Sequence, residues 1–250
     1  MEQLIKNAKN EIPPVDAILD EAWNTLKIKK GSIKNHFGEF VLSLDDEATK
    51  KYRIYEKKAI EYLAQSWLYF QKDDIKLRFE EIIKQEGWKQ FIEKATKLFV
   101  EFGVIIQQLE KDLGNMRKAR GGKTFEKMLV KLLCFMNIKC ETPKGRLGEK
   151  LQRIDIVVPS IDVALHTPDR AFFITCKRTL RERWKQEVPQ ARLNQRIYLL
   201  TIDDNLSKNK AIEINNKGLI AFVRDDLFQK EDFINMPWIR KLSDFPEEIQ

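Results

Sequence analysis

The sequence of 250 residues contains few of the residues that build disulfide-bonded or zinc-binding folds. It has 3 cysteines and 2 histidines, and none of the cysteines forms a Cys-x-x-Cys pair. A disulfide framework and a cysteine-ligated zinc site are therefore not expected. The chain also lacks an apolar run of the roughly 18 residues that a membrane-spanning helix requires, and its first residues have no signal-peptide core. We expect a soluble protein of a reducing cytoplasm with no membrane partner.

What the sequence does contain is an uneven distribution of charge. The formal charge is +7, yet residues 1–114 hold 19 basic and 20 acidic side chains, and residues 197–250 hold 7 and 10. Residues 115–196 hold 19 basic and 8 acidic side chains, so all of the excess positive charge lies in this middle segment. Such a segment is either a solvated surface or a binding region for a phosphate-rich partner.

Arginine content favours the phosphate-rich partner. The middle segment contains ten arginines, whereas residues 1–114 contain two and rely on lysine. Arginine suits surfaces that bind phosphates or guanine edges, because its planar guanidinium donates two parallel hydrogen bonds. A polyanion is therefore the expected partner.

The pattern of apolar residues predicts helices before residue 114 and an α/β core after it. In 88–113 apolar residues recur every three or four positions, which indicates an amphipathic helix, and 15–26 and 53–70 are similar. Met116–Lys123, which includes Gly121 and Gly122, looks like a basic turn, after which Thr124 would cap a new helix. With a hydrophobic fraction of 43%, the chain can bury a substantial core.

Five short runs after this turn have the composition of β-strands, and they enclose a polar stretch, 178–195, that could be partly helical. The runs are Ile138–Thr142, Arg153–Val158, Ala171–Lys177, Ile197–Ile202 and Leu219–Val223. The fold class that follows is α/β, preceded by an α-helical N-terminal region. We divide the chain into residues 1–114 and residues 115–250, of which the second would carry the chemistry.

Two charged residues interrupt the apolar strands. Asp155 lies within the run Arg153–Val158, and Lys177 ends the run Ala171–Lys177, 22 residues later. If the two strands are neighbours, these side chains meet at the rim of the sheet. A carboxylate can bind Mg²⁺, and a lysine can orient a water and offset negative charge that develops on phosphorus. Phosphodiester hydrolysis is therefore a chemistry that this pair could support.

The pair resembles the active site of the PD-(D/E)xK nuclease superfamily, in which an aspartate is followed by acid-x-Lys on the next strand. The sequence departs from that pattern, because Thr175 stands two positions before Lys177 and Cys176 directly precedes it. A neutral thiol is a poor ligand for Mg²⁺. Either the site is inactive, or a second acid comes from elsewhere in the chain.

Glu126, 29 residues before Asp155, supplies that acid in the branch that this sequence resembles most. Restriction endonucleases that recognise CCGG or CC-N-GG have the second acid displaced onto a preceding helix. Similar strings here are the approximate Arg-x-Gly-x-x-Phe-Glu ending at Glu126, the Cys-Lys pair at 176–177 and Thr-Leu-Arg-Glu-Arg-Trp at 179–184. The resemblance covers about residues 117–223. It implies a restriction-endonuclease-like core, in which helices flank a mixed central sheet, and an N-terminal region, 1–114, that clamps DNA or forms a dimer. Asp155, Glu126 and the Cys176 carbonyl would hold Mg²⁺, and Lys177 would act on the attacking water.

The same resemblance assigns base recognition to Arg181, Glu182 and Arg183. On their own, these residues could form a local ion pair on a polar helix. In a major groove, arginine can donate to guanine O6 and N7, and glutamate can accept from the cytosine amino group. Contacts to DNA phosphates are expected from Arg120, Lys123, Arg178 and Lys185.

The sequence thus predicts a Mg²⁺-dependent type II restriction endonuclease that cuts double-stranded DNA and leaves 5′-phosphates. The expected target is a G·C-rich palindrome, and two-fold symmetry of the target matches a homodimer. Two alternatives remain open, namely a structure-selective resolvase or repair nuclease of the same superfamily and a non-catalytic DNA-binding protein.

Overall fold

The structure is a computed structural model of the chain. It describes residues 2–33, 36–70, 84, 87–145, 151, 153–181, 184–189, 191, 195–229 and 231–250. In these ranges, no helix combines the length and the apolar character needed to cross a membrane. The predicted α/β fold with a helical N-terminal region is confirmed.

Helices occupy most of the N-terminal part of the chain. They are α1 (Glu2–Asn10), α2 (Val15–Leu26), the single turn α3 (Lys30–Ile33), α4 (Phe37–Phe70) and α5 (Gly87–Phe135). The 15–26 prediction coincides with α2, and the 53–70 prediction is the second half of α4. Helix α4 is longer than predicted because buried residues such as Val41, Leu44 and Ala48 continue its apolar face toward the N-terminus.

Helix α5 overturns the prediction of a basic turn at Met116–Lys123. The helix runs unbroken for 49 residues, so Thr124 lies within it and caps nothing. Two adjacent glycines in a helix cost about 1 kcal/mol each relative to alanine. That cost is offset by the apolar face that follows, since five of its side chains are fully buried: Phe125, Met128, Leu129, Leu132 and Leu133.

A five-stranded mixed sheet forms the centre of the C-terminal part. Its strands are β1 (Ile156–Val158), β2 (Phe172–Cys176), β3 (Arg196–Leu200), β4 (Ile220–Val223) and β5 (Ile239–Lys241), and they lie side by side in that order. Strands β1 and β2 are antiparallel, and every later pair is parallel.

Four of the five predicted strand runs correspond to strands of the sheet. Residues 153–158, 171–177, 197–202 and 219–223 contain β1 to β4. Residues 138–142 do not form a strand; only Glu141 pairs there, in an isolated bridge with Val157. The sequence does not predict strand β5, because two of its three residues are charged.

Short helices lie between the strands and after β5. They are α6 (Ile161–His166), α7 (Trp184–Glu187), α8 (Lys208–Asn216), α9 (Asp225–Phe228), α10 (Glu231–Ile234) and α11 (Phe245–Glu248), with 3₁₀ turns at Pro168–Arg170 and Leu242–Asp244. Because helices cover the sheet, its strands are buried on both faces, as in other largely parallel sheets.

The core contains one side chain or more from each strand. One face contributes Val157, Phe173, Leu199, Ala221 and Ile239 to a single apolar cluster. On the other face, the aromatic rings of Tyr198, Phe222 and Phe245 contact one another, with centroids 5.0 to 6.2 Å apart.

The chain folds into two compact units. One unit comprises Met1–Ile18 and Thr49–Arg120, and the other comprises Leu19–Ala48 and Gly121–Gln250. The sheet, Glu126, Asp155 and Lys177 all belong to the second unit. The sequence-based boundary at 114/115 lies six residues before the one found in α5, and residues 19–48 join the second unit rather than the first.

Candidate active site

Asp155 is placed by the antiparallel pairing of β1 with β2. It directly precedes β1, and its amide donates to the carbonyl of Ile174 at 2.9 Å. Its carboxylate Oδ2 accepts hydrogen bonds from the amide of Cys176 at 2.6 Å and from the hydroxyl of Thr175 at 3.3 Å. Burial raises the pKa of Asp155 above its ordinary value, while these hydrogen bonds and the charge of Lys177 act to lower it.

Lys177 follows β2 and is held by the next strand. Its amide donates to the carbonyl of Leu200 at 2.9 Å, which continues the parallel pairing of β2 with β3 by one residue. Its side chain is 23% exposed, and Nζ lies 3.2 Å from Oε2 of Glu187 on α7. The ammonium group therefore lies at the rim of the sheet near Asp155. Its positive charge partly opposes the rise that burial causes in the pKa of Asp155.

Glu126 reaches the same place from helix α5. Burial raises the pKa of Glu126 from its ordinary 4.5 to about 7, and the negative charge of Asp155 adds to this effect. Lys177 and Lys123 act in the opposite direction. Charges in a protein act on one another over roughly 10 Å before salt screens them, so Glu126 lies within that range of Asp155 and Lys177.

The two carboxylates suit a hard divalent cation. Mg²⁺ is commonly bound by one or two carboxylates together with waters and phosphates, so Asp155 and Glu126 are the right kind of ligands for it. Asp155 Oδ1 accepts no hydrogen bond from the described residues, and a cation would relieve the repulsion that raises the pKa of Glu126.

Cys176 can offer its backbone carbonyl but not its sulfur to such a cation. Its thiol is fully buried, which raises the pKa well above the ordinary value and keeps the sulfur protonated. The amide of Cys176 points toward β1, where it binds Asp155. In an extended strand the amide and carbonyl of one residue face the same side, so the Cys176 carbonyl is directed toward Asp155 as well.

Of the predicted base-recognition residues, Arg181 is described, and Glu182 and Arg183 lie outside the described residues. Arg181 is exposed and lines an open pocket of about 560 Å³. Three cations and one carboxylate surround this pocket, whose lining residues are Leu180, Arg181, Trp184, Lys185, Lys210 and Glu213.

The four predicted phosphate contacts differ in their surroundings. Lys123 is exposed on α5, whereas Lys185 Nζ lies 2.5 Å from Glu213. Arg178 forms a bidentate ion pair with the buried Asp45, in which Nη2 lies 2.7 Å from Oδ2. The fourth, Arg120, donates to a backbone carbonyl at 2.6 Å and belongs to the first of the two units.

Three residues near the site have roles that the sequence does not indicate. Thr175 stands two positions before Lys177 and donates its hydroxyl to Asp155, which orients that carboxylate. Glu187 pairs with Lys177, a contact that nothing in its short polar stretch signals. Asp203 is buried, although its sequence position after a strand predicts a solvated strand end.

Comparison with known proteins identifies relatives that share this fold and sequence. Residues 76–245 match the family model described as EcoRII C terminal. The type II restriction enzyme SsoII of Shigella sonnei is 27% identical over 185 residues, which cover 70% of this chain and 55% of that enzyme. The chain thus spans about half the length of the curated relative that it matches.

Solved structures show the same fold at lower identity. Metal-depleted Ecl18kI in complex with uncleaved DNA superposes with a TM-score of 0.75 at 19% identity, covering 99% of this chain and 83% of that chain. The complex of restriction endonuclease PspGI with substrate DNA has a TM-score of 0.67 at 20% identity, covering 97% and 93%. Because the family model matches more than half of the residues, this chain belongs to the type II restriction endonuclease family defined by the EcoRII C-terminal domain.

Proposed function

We propose that this chain is a sequence-specific endonuclease that hydrolyses phosphodiesters of double-stranded DNA with Mg²⁺ and leaves 5′-phosphates. The observation that carries the proposal is that two buried carboxylates, Glu126 and Asp155, lie within electrostatic range of each other and of Lys177. The relatives support it, since one solved neighbour is a restriction endonuclease bound to substrate DNA and another is a complex with uncleaved DNA.

Each residue of this group has a separate role in the proposed reaction. Asp155 and Glu126, with the Cys176 carbonyl, would hold Mg²⁺, which supplies Lewis-acid polarisation of the phosphate and a more acidic water. Thr175 and the Cys176 amide fix Oδ2 of Asp155 and so orient the other carboxylate oxygen. Lys177 orients the attacking water and offsets the charge that develops on the phosphoryl oxygens during in-line displacement.

Sequence recognition is assigned to Arg181, Glu182 and Arg183. Arg181 is exposed and follows Lys177 by four residues, so a base contact through its guanidinium would be coupled to the position of the scissile phosphate. Two arginines flanking a glutamate match the donors and acceptors of G·C pairs in the major groove. A G·C-rich palindromic site of the CCGG or CC-N-GG type is therefore proposed.

Contacts to the DNA backbone are assigned to Arg120, Lys123, Arg178 and Lys185. Lys123 lies one helical turn before Glu126 and is exposed, so it is the strongest of the four. Arg178 and Lys185 are paired with Asp45 and Glu213. A DNA phosphate would either replace these carboxylates or bind to the same cations beside them.

A homodimer is proposed because a palindromic target presents two identical half-sites. In the first unit, α5 exposes large apolar side chains along one side, among them Trp88 at 65%, Ile92 at 59% and Phe99 at 75%. A contiguous exposed apolar surface of this kind is typical of a protein–protein interface. We assign it to a second copy of the chain.

Cleavage of plasmid DNA in the presence of Mg²⁺ tests the proposed activity. We expect discrete fragments whose sequenced ends share one motif. Structure-selective nicking would indicate a resolvase. A salt-sensitive mobility shift without cutting would indicate a DNA-binding protein. The variants Asp155→Asn, Lys177→Ala and Glu126→Ala should each lose cleavage at least about a hundredfold while retaining DNA binding.

Asp169→Ala provides a matched control, since Asp169 is an exposed carboxylate on the connection between β1 and β2. It should cut as the wild-type protein does. Full activity of Asp155→Asn would refute the mechanism, whereas full activity of Glu126→Ala alone would reassign only the second carboxylate.

A further inference from the structure

Asp203 is a buried carboxylate that lies just after β3, outside the catalytic group. It is 5% exposed, and both of its oxygens have partners. Oδ2 accepts a hydrogen bond from the amide of Leu180 at 2.7 Å, and Oδ1 accepts one from the amide of Asn205 at 3.0 Å. Lys210 Nζ lies 3.6 Å from Oδ2. Burying a charge is costly, so a carboxylate in this position points to a specific task.

The bond to Leu180 joins two connections of the sheet. Leu180 lies in the connection after β2 and Asp203 in the connection after β3, 23 residues later. The two connections are neighbours because β2 and β3 are parallel and adjacent. The contact with Asn205 is a local turn, whereas the contact with Leu180 fixes one connection against the other.

This bond fixes the backbone next to Arg181. Leu180 directly precedes Arg181, and the carbonyl of Arg181 accepts from the amide of Trp184 at 2.9 Å. The side chains of Leu180 and Trp184 are 2% and 3% exposed, so both are anchored in the core. Arg181 is thus held on each side, while its own side chain is exposed.

We infer that Asp203 is a positioning residue for DNA sequence recognition, which acts by holding the main chain at Leu180 so that Arg181 meets a guanine edge in one geometry. The inference rests on the proposed function and deepens it. A bidentate contact requires two hydrogen bonds to be met at once, and a mobile backbone would satisfy them for a smaller fraction of the time. Discrimination between bases therefore depends on Asp203 although this residue touches no base.

The matched variants Asp203→Asn and Asp204→Asn test this inference in the full chain. Asp204 is the adjacent residue, and it is exposed. An amide at 203 cannot accept from both Leu180 and Asn205 with its two terminal atoms, because one of them is a donor. We expect Asp203→Asn to lower the ratio of kcat/KM between the cognate site and a site with one substituted G·C pair by about tenfold, within the range for one bidentate contact. Asp204→Asn should keep the wild-type ratio.

A double-mutant cycle separates positioning from a general loss of stability. In an Arg181→Ala background, Asp203→Asn should cause no further loss of discrimination, because the side chain that it positions is gone. Additive losses, or an unchanged ratio in the single variant, would overturn the inference. A merely destabilised protein would lose cleavage of both sites equally.

A second variant covers the case in which Asp203→Asn does not fold. Thr201→Val removes the hydroxyl that accepts from the Asp203 amide at 3.1 Å and preserves the shape of the side chain. It should reduce discrimination in the same direction, and an unchanged ratio would count against the inference.

The inference and the proposed function fail in different ways. A wild-type chain that does not cut DNA refutes the proposed activity. Binding of cognate and substituted duplexes, measured by fluorescence anisotropy without metal, still tests the inference, which falls if Asp203→Asn discriminates as well as the wild-type protein does.

Discussion

At Glu126, burial and the charge of Asp155 act in the same direction, and both favour the protonated carboxyl. The pKa of Asp155 is raised too, although it accepts two hydrogen bonds. Two acidic groups with raised pKa values beside a lysine form an arrangement that is unfavourable for the folded protein alone. Such arrangements concentrate at functional sites, where a ligand compensates for them.

This electrostatic conflict predicts how stability depends on pH. Because the pKa of Glu126 in the folded state, about 7, exceeds its ordinary value of 4.5, the folded protein binds this proton more tightly than the unfolded chain. The resulting stabilisation is complete below 4.5 and is lost as the pH rises through about 7. With chelator present, wild-type protein should therefore lose stability relative to Glu126→Gln over this interval.

Urea unfolding between about pH 5 and pH 8 measures that difference, with Asp169→Asn as the control variant. A difference between wild type and Glu126→Gln that does not change with pH would contradict the pKa assigned to Glu126.

Asp155 and Lys177 could be predicted from the sequence, whereas their supporting residues could not. A charged residue inside an apolar run stands out, and a separation of 22 residues fits two adjacent strands. Thr175, Glu187 and Asp203 have no such contrast with their neighbours. Their roles follow from hydrogen bonds and ion pairs between segments that only the folded chain brings together.

At the scale of elements, the longest helix and the last strand were the hardest to predict. Two adjacent glycines indicate a turn if only the neighbouring residues are considered. In the folded chain, burial of the apolar face that follows them keeps α5 helical. Strand β5 forms because β4 offers it a parallel partner, with Ala221 paired to Ile239. Neither influence is visible in the local sequence, in contrast to the apolar runs that became β2, β3 and β4.

The two glycines of α5 provide a prediction about stability. Among the described residues, a Cβ added at Gly121 or Gly122 would meet no atom within 4 Å apart from its own stretch of helix backbone. Alanine reduces the freedom of the unfolded chain at such a position, so each substitution should raise the free energy of unfolding by about 0.5–1 kcal/mol. Chemical denaturation of Gly121→Ala and Gly122→Ala measures this gain.

Gly145→Ala serves as the opposite case. No described atom lies within 4 Å of a Cβ added at Gly145 either, but the φ of Gly145 is +58°, which strains any residue with a side chain. This variant should be less stable than the wild-type protein. If Gly121→Ala and Gly122→Ala lower the free energy of unfolding as much as Gly145→Ala does, the helix is interrupted at 121–122.

At the scale of the whole molecule, the charge distribution predicts salt-dependent DNA binding. If about six phosphates are contacted, affinity should fall on the order of a thousandfold between about 50 and 200 mM salt, because bound counterions are released. Lys123→Ala should reduce the slope of log K against log salt by about 1. Lys217→Ala, in the acidic segment 197–250, should leave the slope unchanged, and the same slope for both variants would remove Lys123 from the interface.

The exposed apolar side of α5 predicts the oligomeric state. Phe99→Asp should convert the proposed dimer into a monomer, because it places a charge in the contact surface. Ile234→Asp is a matched control, since Ile234 is 59% exposed on α10, outside this surface. Light scattering after size-exclusion chromatography measures both masses. A dimer that persists in Phe99→Asp would show that the interface lies elsewhere.

The two edges of the sheet have a consequence for how copies of the chain can associate. On the outer side of β1, Val157 and Glu141 exchange two backbone hydrogen bonds, at 2.8 and 2.9 Å. At the opposite edge, β5 has only three residues, and two of them are Arg240 and Lys241. Short, charged or covered edges disfavour strand addition. In the described part of the chain, neither edge of the sheet therefore favours the addition of a strand from another molecule. Subunits would associate through side chains rather than by forming one continuous sheet.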